Sequence, residues 1–133
     1  MSVSNVELVR LAVEAANHRD VATLDAIWSE QAAFHSTFAA SEGRVFRGRQ
    51  GIRDYFATLG EVFEDIRIET EEITEAGEDR LVVVVRVTGR GKGSGAKVEQ
   101  RNGQVWTFAD GKIARVDSYL SQSEALEAVE LSG

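Results

Sequence analysis

Arg86 is the first residue whose position suggests chemistry, because its guanidinium interrupts a run of β-branched residues. Such a run predicts a strand, in which alternate side chains face opposite sides of a sheet. If the even-numbered side chains face a pocket, Arg86 lies beside Val84 and Thr88 without an acidic neighbour, and a ligand carboxylate or carbonyl could bind it. The alternative is an outward Arg86 in a surface ion pair with Glu99 or Asp117, which contributes little stability. The sequence leaves both readings open.

Gln104, Trp106 and Phe108 share one parity in a second predicted strand. They would give a pocket one hydrogen-bonding group and two aromatic walls, which suits an apolar ligand. We favour a pocket position for Trp106 and a core position for Phe108. Tyr55, beside the apolar stripe of a predicted helix, could point its hydroxyl into the pocket or reach the surface from a packed ring.

His35 and Asp117 complete the set of candidate acid–base residues. His35 titrates near neutral pH if unperturbed, so it is a candidate base if it faces a pocket and otherwise a surface or interface residue. Asp117 is a candidate only if the register of the last strand turns it inward. His18 and His35 lack HxH or HxxxH spacing, so we expect no dedicated metal site. We also expect no cofactor.

The composition argues against several classes of protein. The formal net charge is −7, and an acidic surface repels nucleic acid and anionic membranes, so neither is an expected partner. The absence of cysteine excludes disulfides, thiolate metal sites and cysteine nucleophiles. We recognise no signal peptide and no apolar run of about 18 residues, so we expect a cytoplasmic location.

Hydrophobic periodicity predicts one α+β domain over residues 1–133, with helices segregated from antiparallel strands. The predicted helices cover residues 5–17, the segment from Asp20 to Trp28, and residues 49–62 and 121–129. The predicted strands cover residues 32–38, 64–74, 81–88, 97–108 and 113–120, and residues 39–49 are a predicted loop.

Residues 81–88 are apolar on both parities, which predicts cover on both faces of the sheet. Helices would cover the concave face. A second subunit is the simplest cover for the other face, so we expect a homodimer that packs through the sheet.

The element order and three local patterns resemble the SnoaL-like branch of the nuclear transport factor 2-like (ketosteroid isomerase-like) superfamily. The patterns lie in residues 20–28, 48–56 and 110–126. The resemblance implies a cystatin-like α+β roll. In this fold a cone-shaped, curved antiparallel sheet is wrapped around a pocket by three helices from the N-terminal half, and a short C-terminal helix follows.

The resemblance to ketosteroid isomerase places its catalytic base at Ser36, its acidic donor near Gln104 and its phenol near Ala12. Serine is no unassisted base at neutral pH, so this chemistry is expected to be absent. An inward Ser36 would also turn His35 outward.

The resemblance to limonene-epoxide hydrolase retains one residue of five. The arginine of that enzyme falls at Arg86, its two aspartates at Thr88 and Ser118, and its tyrosine and asparagine at Phe34 and Ser36. The aspartate of SnoaL-type cyclases also falls at Ser118. The resemblance therefore implies a family scaffold without the family's catalytic carboxylates.

Three classes of function stay open. The first is binding of a small, mostly apolar molecule with a carboxylate or carbonyl. The second is an isomerase, polyketide cyclase-like or epoxide hydrolase-like enzyme with a non-standard acid–base set drawn from His35, Tyr55 and Asp117. The third is a non-catalytic structural dimer. The predicted ligand-binding residues are Phe34, Ser36, Tyr55, Arg86, Thr88, Gln104, Trp106 and Ser118.

Overall fold

The computed structural model describes residues 4–37 and 43–132, and within them it confirms the α+β class. The elements follow one another as α1 (Asn5–His18), α2 (Val21–Ile27), β1 (Trp28–His35), β2 (Val45–Arg47), α3 (Gly48–Val62), β3 (Phe63–Glu75), β4 (Arg80–Gly91), β5 (Lys97–Ala109), β6 (Lys112–Tyr119) and α4 (Gln122–Ser132).

Three helices begin directly after a side chain that caps them. The side chains of Ser4, Asp20 and Ser121 each accept a hydrogen bond from the backbone N–H three residues further along the chain, at 3.2, 3.1 and 3.1 Å. Each bond satisfies an N–H that has no partner inside its helix.

Trp28 belongs to β1, so its predicted place in the second helix is wrong. Its backbone is extended, with φ −89° and ψ 138°. The strand starts here because Trp28 is in register with Ile113 of β6 and its ring packs 6.1 Å from that of Trp106. Phe38, the far end of the predicted strand, lies outside the described residues.

The sheet is open and mixed, with strand order β2-β1-β6-β5-β4-β3. The expectation of a wholly antiparallel sheet is wrong for β1 and β6, which run parallel. Strands β3 to β6 are joined by short connections, so each runs antiparallel to the next. More than half of the chain lies between β1 and β6, so no short connection fixes their relative direction. β2 lies inside the predicted loop and pairs with β1.

The inner face of the sheet packs against α1, α2 and α3 and forms the main core. Val85 of β4 lies opposite Asn102 of β5, so odd-numbered side chains of β4 share this face with even-numbered side chains of β5. The inward side chains of β4 are Leu81, Val83, Val85 and Val87.

The outer face of the sheet is partly covered by α4. Val82 and Val105 are buried there against Ala125. Gly103 permits this packing, because a Cβ at that position would stand 2.4 Å from the carbonyl oxygen of Ser121. The second apolar parity of β4 therefore has cover within the chain, and a second subunit is not required for that part of the face.

Candidate functional site

A cavity lies between the inner face of the sheet and the first three helices. The space open to the centre of a water molecule is about 50 Å³. This is room for a few waters or one compact organic molecule. Its apolar lining residues are Ala12, Val13, Ala16, Leu24, Trp28, Phe34, Phe56, Ile68, Val85, Val87 and Trp106. Its polar lining residues are Ser36, Thr37, Tyr55, Asn102, Gln104 and Ser118.

A hydrogen-bonded chain crosses the polar part of the wall. The indole Nε1 of Trp106 donates to Oε1 of Gln104 at 2.9 Å, and Nε2 of Gln104 donates to Oγ of Ser118 at 3.1 Å. All three residues are at least nine-tenths buried. Because both ends of the Gln104 amide are used, this side chain has a fixed orientation and serves as a connector.

A second amide pair lies beside the chain. Nε2 of Gln100 donates to Oδ1 of Asn102 at 2.7 Å and to the backbone oxygen of Thr37 at 3.2 Å. These bonds tie β5 to the residues that follow β1, and they place Asn102 in the cavity wall.

Tyr55 brings its phenol to the cavity from α3. Its ring packs on Phe34 at 4.5 Å and on Phe46 and Phe56 at 5.2 Å each. Burial raises the pKa of Tyr55 to about 12, and a hydrogen bond with Ser36 opposes that shift. At neutral pH the phenol therefore keeps its proton, so it can donate a hydrogen bond but cannot act as a base.

Six of the predicted ligand-binding residues meet around this cavity. Ser36, which directly follows β1, and Ser118 on β6 are both buried, each one residue beyond the register pair of His35 and Asp117. The full group is Phe34, Ser36, Tyr55, Gln104, Trp106 and Ser118.

Arg86 and Thr88 lie on the outer face of the sheet, so the prediction that they line the pocket was wrong. Nε of Arg86 donates to Oε1 of Glu99 at 2.8 Å, and Nη1 lies 3.8 Å from Oε2 of Glu69. The hydrogen bond with Arg86 lowers the pKa of Glu99. The alternative of a surface ion pair is confirmed. The physical reason is the register, in which the inward positions of β4 carry odd numbers.

His35 and Asp117 are absent from the cavity wall. Each alternates with an inward serine, so each faces outward. The carboxylate of Asp117 accepts a hydrogen bond from Nε of Arg115 at 2.8 Å. The register that would have made Asp117 a candidate base does not occur, and of the three candidate catalytic residues only Tyr55 reaches the cavity.

Three cavity residues with hydrogen-bonding side chains were missed by the sequence reasoning: Trp28, Thr37 and Asn102. Asn102 shares the parity of Gln104 and Trp106, so continuing that alternation by one step would have found it. Helical spacing places Trp28 in the second predicted helix, and the predicted strand of residues 32–38 gives Thr37 no role.

No charged residue lines the cavity among the residues that the structure describes. Over residues 4–37 and 43–132, no group of three or more His, Asp and Glu side chains is placed to hold a metal ion. In the same ranges, none of the helices is both long and apolar enough to cross a bilayer.

The family model of the SnoaL-like domain matches residues 9–116 of the chain. The match confirms the resemblance that the three sequence patterns indicate. No curated protein matches the chain in sequence.

Solved structures share the fold across nearly the whole chain. A protein of Catenulispora acidiphila DSM 44928 with a ketosteroid isomerase-like fold, in complex with trimethylamine, is 16% identical with a TM-score of 0.75, covering 96% of this chain and 95% of its own. A protein of Burkholderia pseudomallei K96243, described as NTF2-like and of unknown function, is 19% identical with a TM-score of 0.75, and the coverage is 94% and 96%. RV0760c of Mycobacterium tuberculosis, in complex with estradiol-17beta-hemisuccinate, is 12% identical with a TM-score of 0.73, and the coverage is 89% and 94%. Identities this low show a common fold and leave the activity open.

Proposed function

The chain belongs to the SnoaL-like domain family, and we propose that its cavity binds one small, uncharged, mostly apolar molecule without acid–base catalysis. The observation that supports this most is the composition of the wall. Eleven lining side chains are apolar or aromatic, six are polar, and none carries a charge at neutral pH.

An uncharged wall selects against charged ligands. Moving a carboxylate or an ammonium out of water costs several kcal/mol unless an opposite charge or a full set of hydrogen bonds receives it. Arg86, the predicted partner of a ligand carboxylate, is on the other face of the sheet and already pairs with Glu99. Of the two ligand groups expected from the sequence, a carboxylate and a carbonyl, the site favours the neutral carbonyl.

The same wall argues against acid–base catalysis. A general base works best with a pKa near the operating pH. Tyr55 is the one titratable side chain in the described cavity wall, and burial holds its pKa far above neutral. An isomerase, cyclase or hydrolase working here would have to use Tyr55 only as a hydrogen-bond donor.

The ligands of structural relatives support a binding role in a general way. The Catenulispora protein was crystallised with trimethylamine and the Mycobacterium protein with estradiol-17beta-hemisuccinate. Both are small molecules that carry an ionisable group, so they support small-molecule binding in this fold, whereas the preference for an uncharged ligand rests on the wall of this chain alone.

Calorimetry with matched five-membered rings tests the proposal. The probes are cyclopentanone, cyclopentylammonium and cyclopentanecarboxylate, which have similar ring size and differ in charge. We expect cyclopentanone to bind with a dissociation constant of about a millimolar and both ions at least about tenfold more weakly. Tight binding of either ion, or no binding of the ketone, contradicts the proposal.

A filled cavity provides the matched control. Ala12 lines the cavity, whereas Ala22 on α2 is exposed. Ala12→Leu should abolish binding of cyclopentanone, and Ala22→Leu should leave it unchanged. Overpacking costs about 1–3 kcal/mol, so circular dichroism must show that Ala12→Leu is folded.

We also propose a homodimer that packs through the outer face of the sheet. Val84 points outward there and is half-buried, in register with Gly103 and two residues before Arg86. Sedimentation should give a dimer at micromolar concentration, and Val84→Lys should give a monomer. A monomeric parent protein would contradict this.

A cytoplasmic location stays a prediction, tested by cell fractionation.

A further inference from the structure

We infer that the ligand presents a hydrogen-bond acceptor, such as the oxygen of a ketone or an ester, to the hydroxyl of Ser118. The inference rests on the proposed function, since it names the chemical class that the same cavity takes. The structural basis is the direction of the hydrogen bonds in the buried chain from Trp106 through Gln104 to Ser118.

The direction of that chain follows from the chemistry of its first member. The indole N–H of Trp106 can only donate, so the group facing it must be the Gln104 oxygen, at 2.9 Å. The amide nitrogen therefore faces Ser118, at 3.1 Å. That nitrogen can also only donate, so Oγ of Ser118 is the acceptor of this bond.

The hydroxyl hydrogen of Ser118 is left over by this arrangement. In the described part of the chain, the bond from Gln104 is the one hydrogen bond that the Ser118 hydroxyl makes. Ser118 is 2% exposed and lines the cavity, so bulk water does not take up the hydrogen. An acceptor inside the cavity completes the chain.

A second hydrogen-bond donor in the cavity wall also lacks an acceptor. Nε1 of Trp28 is buried and has no hydrogen-bond partner within the described residues. Trp28 lines the cavity beside Trp106, with ring centroids 6.1 Å apart. Two buried donors without acceptors make a ligand with an acceptor oxygen complementary to this wall, since buried polar groups in folded proteins are almost always paired.

A pair of isosteric probes isolates the role of the oxygen. Cyclopentanone and methylenecyclopentane have the same shape, but only the ketone can accept a hydrogen bond. Ser118→Ala should weaken binding of the ketone by about tenfold and leave binding of the alkene within about twofold. The alkene is the internal reference for changes in packing, and Ser123→Ala, exposed on α4, should change neither.

Infrared spectroscopy gives a readout that packing does not change. The carbonyl stretch of bound cyclopentanone should lie at lower frequency in the parent protein than in Ser118→Ala. Trp106→Phe removes the donor that orients Gln104, so it should shift the stretch part of the way.

The possible failures are distinguishable. If Ser118→Ala weakens both probes equally, or leaves the carbonyl stretch unchanged, the acceptor inference is overturned while ligand binding stands. If neither probe binds the parent protein, both the inference and the proposed function are overturned.

Discussion

Alkaline pH should destabilise this fold through Tyr55. Burial raises the pKa of its phenol to about 12, from 10.0 for an unburied tyrosine. The folded state therefore holds the proton more tightly than the unfolded state. The resulting stabilisation is fully present below about pH 10 and is lost as the pH rises through about 12. A shift of about two pKa units corresponds to about 3 kcal/mol in total, of which about 1.4 kcal/mol should be lost by about pH 11.

Urea unfolding between about pH 8 and about pH 11 measures this loss. Tyr55→Phe should flatten the decline, because it removes the titrating hydroxyl from the buried site. The chain has only two tyrosines, so ultraviolet absorbance of the phenolate can be assigned with single substitutions. Tyr119 is the matched control, since its pKa is also raised by burial and by Asp117, but it lies on the outer face. If the parent and Tyr55→Phe lose stability equally with pH, the phenol is not buried as described.

Three further predictions, the last with a matched control substitution, test other parts of the structure. Arg86→Ala should leave both cyclopentanone binding in calorimetry and the urea midpoint nearly unchanged, because the ion pair is on the outer face. A loss of affinity would mean that Arg86 contributes to the pocket. Asn17→Ala should lower the free energy of unfolding by about 1–3 kcal/mol. The Asn17 amide accepts a hydrogen bond from the backbone N–H of Ile68 at 2.7 Å and donates one to the backbone carbonyl of Ile68 at 2.8 Å, on the edge strand β3. An unchanged urea midpoint would contradict this. Gly103→Ala should lower the thermal midpoint sharply, because its Cβ would clash with the backbone at the start of α4. Gly60→Ala is the control, since position 60 of α3 has open space around it, and it should raise stability by about 0.5–1 kcal/mol. Equal effects of the two substitutions would refute the close approach at position 103.

Local signals predicted the helices well. Capping by Ser4, Asp20 and Ser121 and the apolar stripe of α3 are properties of short segments, so they can be recognised without knowledge of the fold. The parallel pairing of β1 with β6 and the presence of β2 depend on contacts distant along the chain. No local pattern carries that information.

The face of β4 shows where the sequence reasoning failed. The odd-numbered positions from 81 to 87 are all apolar, whereas the even-numbered positions include Arg86 and Thr88, so the strand's own hydrophobicity favours the odd set facing the helices. In an antiparallel hairpin the numbers of opposite residues have a constant sum, and Val85 opposite Asn102 makes that sum odd. Even positions of β5 must then share a face with odd positions of β4. The assumption that both strands turn even numbers inward was inconsistent with this register, and it misplaced Arg86.

The cavity itself has no sequence motif. It exists because small side chains, Ala12 and Ala16, face the sheet where larger ones would fill the space. Alanine on the inner face of a helix is equally typical of close packing. Whether it leaves room depends on the distance between helix and sheet, which is a property of the whole fold.

The two tryptophans allow the central claim to be tested by one experiment. Trp28 and Trp106 are the only tryptophans of the chain, and both line the cavity, so their indole N–H signals in a nitrogen–proton spectrum are two reporters inside the site. On titration with cyclopentanone we expect both signals to move to saturation together. The contrary result is that both indole signals stay fixed while cyclopentanone moves only signals of the outer face, such as that of the Arg86 guanidinium. The ligand would then bind somewhere other than the uncharged cavity.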